Sequence, residues 1–126
     1  MDTMVQLAAG SWPEQGALPG VVARMQRIAG LTPAQLSLAD MAFCLRQQLA
    51  VPQVLVQALP QLAAQPFLCA EYYPGDLLRA VWQLDPACWQ ADAGLQEEAS
   101  AVFAAAACAL RQMQQDFGDL LHAYPD

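Results

Sequence analysis

The chain has 126 residues, which suits one domain large enough to bury a real core. Hydrophobic residues make up 56% of it and charged residues only 13%, and the formal net charge is −7 with five arginines and no lysine. A chain this acidic does not fit a direct nucleic-acid binder, because contact with the phosphate backbone depends on clustered Lys and Arg. The charge suits a basic partner, and it equally favours solubility.

The N-terminal part of the chain divides at about residue 18. We expect residues 1–17 to be a poorly ordered segment and residues 18–126 to form one helical domain. Apolar side chains recur at helical spacing from Leu18 to Ile28. Pro19 suits the first turn of this helix and Gly30 its end.

Two further helices are predicted around residue 50. Thr32 to Gln35 has the form of a capping box, which predicts a short turn before a helix from Leu38 to Leu49. Pro52 can open the next helix. Pro60 lacks the N–H that an interior helical residue donates, so we expect that helix to kink or end near Leu59.

The most informative stretch follows. It reads Tyr72-Tyr73-Pro74-Gly75-Asp76-Leu77-Leu78, and we call these seven residues the motif. Pro74 biases Tyr73 toward an extended backbone, and Gly75 allows a sharp turn. Asp76 then falls in the first turn of a helix, where a carboxylate suits the unpaired N–H groups. The motif therefore predicts a corner that leads into a short apolar helix.

The motif and its flanks resemble the immunity proteins of bacterial contact-dependent growth inhibition systems. Members read roughly as an acidic-Leu-Arg helix, a glycine-containing corner, a Leu-Val-Pro-Leu-Ala-Leu helix and then Phe/Tyr-Tyr-Pro-Gly-Asp-Leu-Leu. The matching flanks are residues 45–49 and 55–59, and the resemblance covers residues 36–89. Gln48-Leu49-Ala50 departs from the pattern, because it lacks the glycines of the corner.

The resemblance implies a cytosolic protein that binds and neutralises a cognate toxin domain. It also implies that this toxin is a nuclease, a class that tends to be basic. Inhibition would block the toxin's active site or its substrate-binding surface. Two alternatives remain open: an acidic helical chaperone or adaptor for a secreted effector, and a small ligand-binding bundle.

The last segment is the clearest predicted helix. Apolar residues from Leu95 to Leu121 follow alternating steps of three and four. A helix from Ala93 to Leu121 would be roughly 40 Å long and would form the spine of a bundle. No strand pattern competes with it. The predicted fold is all-α: a single-domain helical bundle of about five helices with a long C-terminal helix.

Targeting and redox signals are weak. Residues 1–10 lack a basic signal-peptide start, and the longest apolar run, residues 101–110, is about half of what a bilayer needs. We therefore expect a cytoplasmic protein that does not contact membranes. The cysteines are widely spaced without a Cys-x-x-Cys pair, which predicts buried reduced thiols and no metal site. They are Cys44, Cys69, Cys88 and Cys108.

Catalytic chemistry has little support in the sequence. His122 is the only histidine and lies near the C-terminus, where a solvated side chain is the usual finding. Glu97 and Glu98 are adjacent, so on a helix they point about 100° apart and cannot act as a carboxylate pair. We expect no enzymatic activity and no catalytic, cofactor-binding or metal-binding residues.

The candidate toxin contacts are exposed carboxylates in first turns and loops. They are Asp40, Glu71, Asp85, Asp92, Glu97 and Glu98. We expect the motif to be mainly architectural, because specificity requires surface features that a shared motif cannot supply. Trp82 and Trp89 are possible aromatic anchors, with core burial favoured for Trp82.

Overall fold

The computed structural model describes residues 2–8, 12 and 19–125 of the chain. These residues form six α-helices and no strand, apart from an isolated bridge between Cys69 and Pro74. The helices are α1 (Met4–Leu7), α2 (Pro19–Ala29), α3 (Leu38–Arg46), α4 (Val51–Ala64), α5 (Asp76–Trp82) and α6 (Ala93–Ala123). Short 3₁₀ turns at Pro33–Gln35 and Pro86–Cys88 precede α3 and α6. The all-α class and the long C-terminal helix are confirmed.

Helix α4 lies at the centre of the core. It packs against α3, α5 and α6, and its side chains Leu55, Leu59 and Leu62 are completely buried. Burying one such side chain stabilises the fold by about 1.5–3 kcal/mol relative to leaving it in water. The apolar stripe of α4 therefore holds α3, α5 and α6 together.

The predicted helix starts agree with the structure. Helix α2 begins at Pro19, and the Ser37 hydroxyl accepts a hydrogen bond from the Asp40 N–H at the start of α3. Thr32 donates its backbone N–H to Gln35 Oε1, which closes the turn before α3. Leu18, the first apolar residue of the predicted α2, lies outside the described residues.

Part of the segment expected to be poorly ordered is helical and packed. Met4 is completely buried in α1, and its N–H donates to the Leu31 carbonyl over 2.7 Å. This contact ties α1 to the end of α2. Residues 9–11 and 13–17 lie outside the described part, and the domain boundary at residue 18 remains a prediction.

The corner between α3 and α4 is left-handed. Helix α3 ends at Arg46 and not at the expected Leu49, because Gln48 and Ala50 adopt φ values of 57° and 47°. These are backbone angles that glycine adopts without cost and that other residues adopt only with strain. The corner thus keeps a glycine-type geometry without glycines.

Pro60 does not end its helix. The expectation was a kink or an end near Leu59, and the end is wrong because helix α4 continues through Pro60 to Ala64. Pro60 itself is exposed, while Leu59 and Leu62 on either side of it are completely buried. The packing of these two leucines outweighs the one hydrogen bond that the proline cannot donate.

Helix α6 serves as a spine only along its first half. Its buried residues end at Ala106, and the helix continues for more than four turns beyond that position.

The expectation for the thiols is also corrected. All four cysteines are free, but only Cys44 is buried. Cys88 is half-buried, and Cys69 and Cys108 are exposed.

The strained corner gives a stability prediction. Replacing exposed Gln48 by glycine should raise the free energy of unfolding by about 1 kcal/mol. The reason is that a φ of 57° strains a residue with a Cβ, and glycine has none. Gln96→Gly, at an exposed right-handed position in α6, should lower it by about 1 kcal/mol. Urea unfolding followed by circular dichroism measures both variants. A loss of stability in Gln48→Gly would contradict the strained geometry.

Candidate functional site

Asp76 holds the loop that carries the motif. Its Oδ1 accepts the Ala70 N–H at 2.8 Å, and its Oδ2 accepts the N–H groups of Glu71 and Tyr72 at 2.9 Å each. Gly75 precedes it with φ 89°, which turns the chain so that the first residue of α5 faces back onto the loop. The carboxylate was expected to support the start of its own helix. Its main role in the structure is to bind the preceding backbone.

The pKa of Asp76 reflects this arrangement. The side chain is only 3% exposed. Burial acts to raise its pKa, but the hydrogen bonds from Tyr72, Ala70 and Glu71 outweigh burial and leave the pKa below the ordinary value. Asp76 is therefore ionised in the folded protein, and its negative charge is neutralised by backbone dipoles.

Arginines anchor the same loop through Glu71. Arg24 Nη1 approaches Glu71 Oε1 at 2.6 Å, and Arg46 Nη2 approaches Oε2 at 3.0 Å. Arg24 also bonds Asp40 Oδ1 at 3.2 Å, and Arg27 contacts both Asp40 oxygens at 2.7 and 2.9 Å. Two carboxylates and three arginines thus connect α2, α3 and the motif loop.

This network removes two of the candidate contact residues from the free acidic surface. Asp40 is 3% exposed, so the expectation of an exposed carboxylate there is wrong. The hydrogen bond from Arg27 lowers the pKa of Asp40 despite burial. Burial raises and the bonds from Arg24 and Arg46 lower the pKa of Glu71, with a net decrease. Both charges are balanced within the protein.

The remaining candidates lie close together in the sequence. Asp85 and Asp92 are exposed and cap the helical turns that follow them, with bonds to the Ala87 and Leu95 N–H groups. Glu97 is exposed and Glu98 is half-buried, on the first turns of α6. None of these four carboxylates pairs with an arginine among the described residues. Their toxin contact remains a prediction.

The outer side of the motif is aromatic and exposed. Tyr72 and Tyr73 both face solvent, and the Arg46 guanidinium lies 5.3 Å from the centre of the Tyr72 ring. Trp82 is 69% exposed, so its expected burial is wrong. Its ring meets the edge of Phe103 at 5.0 Å and an interplanar angle of 87°. Trp89, by contrast, is half-buried and packs against the core.

An apolar groove lies between α5 and α6. It has a volume of about 680 Å³, and it is lined by residues of the motif, of α5 and of α6. The principal lining residues are Phe67, Tyr73, Leu78, Trp82, Phe103 and Leu110. The motif therefore has an inner face that builds the fold and an outer face that lines an open groove.

Potential metal ligands do not cluster among the described residues, and Cys44 is a buried thiol. The described residues contain no group of three or more His, Cys, Asp or Glu side chains that could hold a metal ion. Burial, reinforced by nearby Asp40, raises the pKa of Cys44 to about 12, so this thiol stays protonated. Within the described ranges, no helix has the length and apolar character needed to cross a bilayer.

The fold and the motif define a helical scaffold whose exposed face suits protein binding. The family described as CDI immunity proteins, in which CDI denotes contact-dependent growth inhibition, matches residues 6–99. The chain belongs to this family, and as a member it neutralises a toxin of such a system. Neither a curated protein nor a solved structure matches it.

The sequence did not predict the arginine network, and for the small residues 104–107 it favoured core packing over a groove. The network joins residues 47 positions apart, as for Arg24 and Glu71, and no local pattern encodes that pairing. The groove left a clearer signal, because Tyr73 and Trp82 are aromatics beside a helix of small residues at 104–107. The groove could not be predicted because Trp82 was expected to be buried, whereas its side chain is exposed.

The role of Asp76 yields a second prediction. Asp76→Ala leaves three backbone N–H groups without their acceptor and should lower the free energy of unfolding by about 2–4 kcal/mol. Asp85→Ala, which removes one exposed cap bond, should cost only about 1 kcal/mol. Chemical unfolding of both variants tests this. Equal losses would show that Asp76 is an ordinary cap.

The lowered pKa values predict acid sensitivity. Asp40, Glu71 and Asp76 all have folded pKa values below their unfolded values of 3.8, 4.5 and 3.8. The unfolded chain therefore binds more protons in this range, so stability is full above about pH 4.5 and falls as the pH drops through the folded values. The stability gap between wild type and Asp76→Ala should shrink by pH 3. A constant gap from pH 7 to pH 3 would rule out an ionised Asp76.

Proposed function

We propose that this protein binds a basic nuclease domain of its contact-dependent growth inhibition toxin in the cytosol. It covers the active site or the surface on which that domain holds its substrate. The family match supports the toxin as the partner class and favours this function over a chaperone or adaptor role. The net charge of −7 supports a basic surface on the partner.

The observation that carries this proposal is the acidic segment, residues 85–98. It contains Asp85, Asp92, Glu97 and Glu98 and no basic residue. The arginines that neutralise Asp40 and Glu71 do not reach it. Asp40 and Glu71 are paired with arginines, whereas this segment presents four carboxylates and no arginine, and so a net negative potential.

A nuclease has the basic surface that this negative potential would attract. It must hold a phosphate backbone, which it does mainly with Lys and Arg. Carboxylates presented at the correct spacing occupy the same donors and compete with the substrate. They also accelerate the encounter, since opposite fields steer two proteins together.

Steering predicts a salt-dependent association rate. At about 150 mM salt the screening length is about 8 Å, so raising the salt should slow association much more than it speeds dissociation. The measurement is surface-based or stopped-flow kinetics with the toxin domain encoded beside this gene. An association rate indifferent to salt would remove the electrostatic part of the proposal. Failure to bind that toxin at all would remove the function.

Matched variants separate the acidic segment from the total charge. Glu97→Gln/Glu98→Gln and Gln26→Arg/Gln47→Arg each make the net charge less negative by two. The first pair should slow association about fivefold at low salt, and the second pair much less. Gln26 and Gln47 are exposed and lie on α2 and after α3, outside the acidic segment. Equal effects would assign steering to total charge and not to this segment.

A further inference from the structure

The second half of α6 carries an apolar stripe that nothing in the described structure covers. We call residues 110–124 the α6 extension. Its large apolar residues recur at steps of three and four, so they share one side of the helix. They are Leu110, Met113, Phe117, Leu120, Leu121 and Tyr124, and each is more than half exposed.

The stripe continues the face that α6 buries in its first half. Ala99, Val102 and Ala106 pack into the core, and steps of three and four lead from them to Met113 and Phe117. The core-facing side of the helix thus runs on past the end of the bundle. In a helix that faces only water, polar residues would be expected at these positions.

The α6 extension is continuous with the groove beside the motif. Leu110 belongs to both, and Trp82, stacked edge-on against Phe103, forms the opposite wall. We call the groove and the stripe together the apolar face. It extends from Tyr73 of the motif to Tyr124 at the end of the helix.

The size of the apolar face matches a protein interface. Scaled by their exposure, its large side chains offer on the order of 700 Å² of apolar surface. The largest apolar patch on a typical monomer is about 300–600 Å², and a standard interface takes about 800 Å² from each partner. Its aromatics are the residue type that dominates binding energy in such interfaces.

The charges around the stripe decide between possible occupants. Asp116 and Asp119 lie on the α6 extension, and Arg111 is its only arginine. A membrane-surface helix is rich in Lys and Arg on its polar side, whereas this one has Arg111 alone beside two aspartates. A second copy of the chain, laid antiparallel with Met113 against Phe117, would place two Asp116 carboxylates together and join two proteins of charge −7. A basic partner meets neither difficulty.

We propose that the apolar face is where the toxin docks, through an apolar element flanked by Lys or Arg, and that it fixes which toxin is bound. This rests on the proposed function, from which it takes the toxin as partner. Residues 100–125 lie outside the range that matches the family, so the α6 extension is not part of the matched scaffold. Discrimination among toxins requires such a feature in addition to the shared motif.

Dissociation kinetics test the proposal. Phe117→Ala and Trp82→Ala should speed dissociation from the adjacent toxin domain by about tenfold or more, with association changed less than about twofold. The control is Val56→Ala on α4, because Val56 is 54% exposed and Phe117 56%, yet Val56 lies outside the apolar face. Melting curves should stay unchanged in all three, since none of these side chains is buried.

The outcomes separate this proposal from the proposed function. If wild type binds the toxin and Phe117→Glu and Trp82→Ala bind it equally tightly, the apolar face is not the docking site, while toxin neutralisation stands. If wild type does not bind, the proposed function fails and the docking proposal with it. Sedimentation showing a dimer of the free protein that Phe117→Glu dissociates would assign the face to a second copy and overturn the proposal.

Discussion

The buried carboxylate of Asp76 is the interaction on which the rest of this structure depends. It gathers the N–H groups of three consecutive residues, 70–72, into one turn. That turn places Glu71 between Arg24 and Arg46, and Arg24 in turn reaches Asp40. A single ionised group therefore sets the geometry through which α2, α3 and α5 are joined. Each charge in this chain of contacts is paired or fully hydrogen-bonded, as burial requires.

Because the loop is held from inside, its outer side is left for binding. Asp76 and Leu77 face the core, while Tyr73, Pro74 and Trp82 line the groove. The same short stretch thus acts as a scaffold on one side and as a surface on the other. A fixed backbone lowers the conformational cost of presenting aromatic side chains to a partner, and this cost otherwise reduces affinity.

The acidic segment and the apolar face are formed by different residues. The acidic segment lies between α5 and the first turns of α6, and the apolar face extends toward the other end of α6. Electrostatic attraction acts over about a screening length and governs encounter, whereas apolar packing acts on contact and governs residence. A protein that must capture a toxin quickly and hold it long gains from both, and the two can be altered independently.

The sequence by itself determined the fold class, the starts of most helices and the family. Helical periodicity, Pro19, Ser37 and the motif are local signals, and local signals persist whatever the helices pack against. The sequence left open whether α4 ends or only kinks at Pro60, and it did not predict that α3 ends early, that Asp40 is buried or that Trp82 is exposed. Those features depend on which helix faces pack together. The spacing of apolar residues in the sequence is the same whether the face they form is buried in the core or exposed to solvent. The α6 extension shows this most clearly. Its apolar spacing predicts a buried face, and only the tertiary structure shows that no other helix among the described residues packs against it.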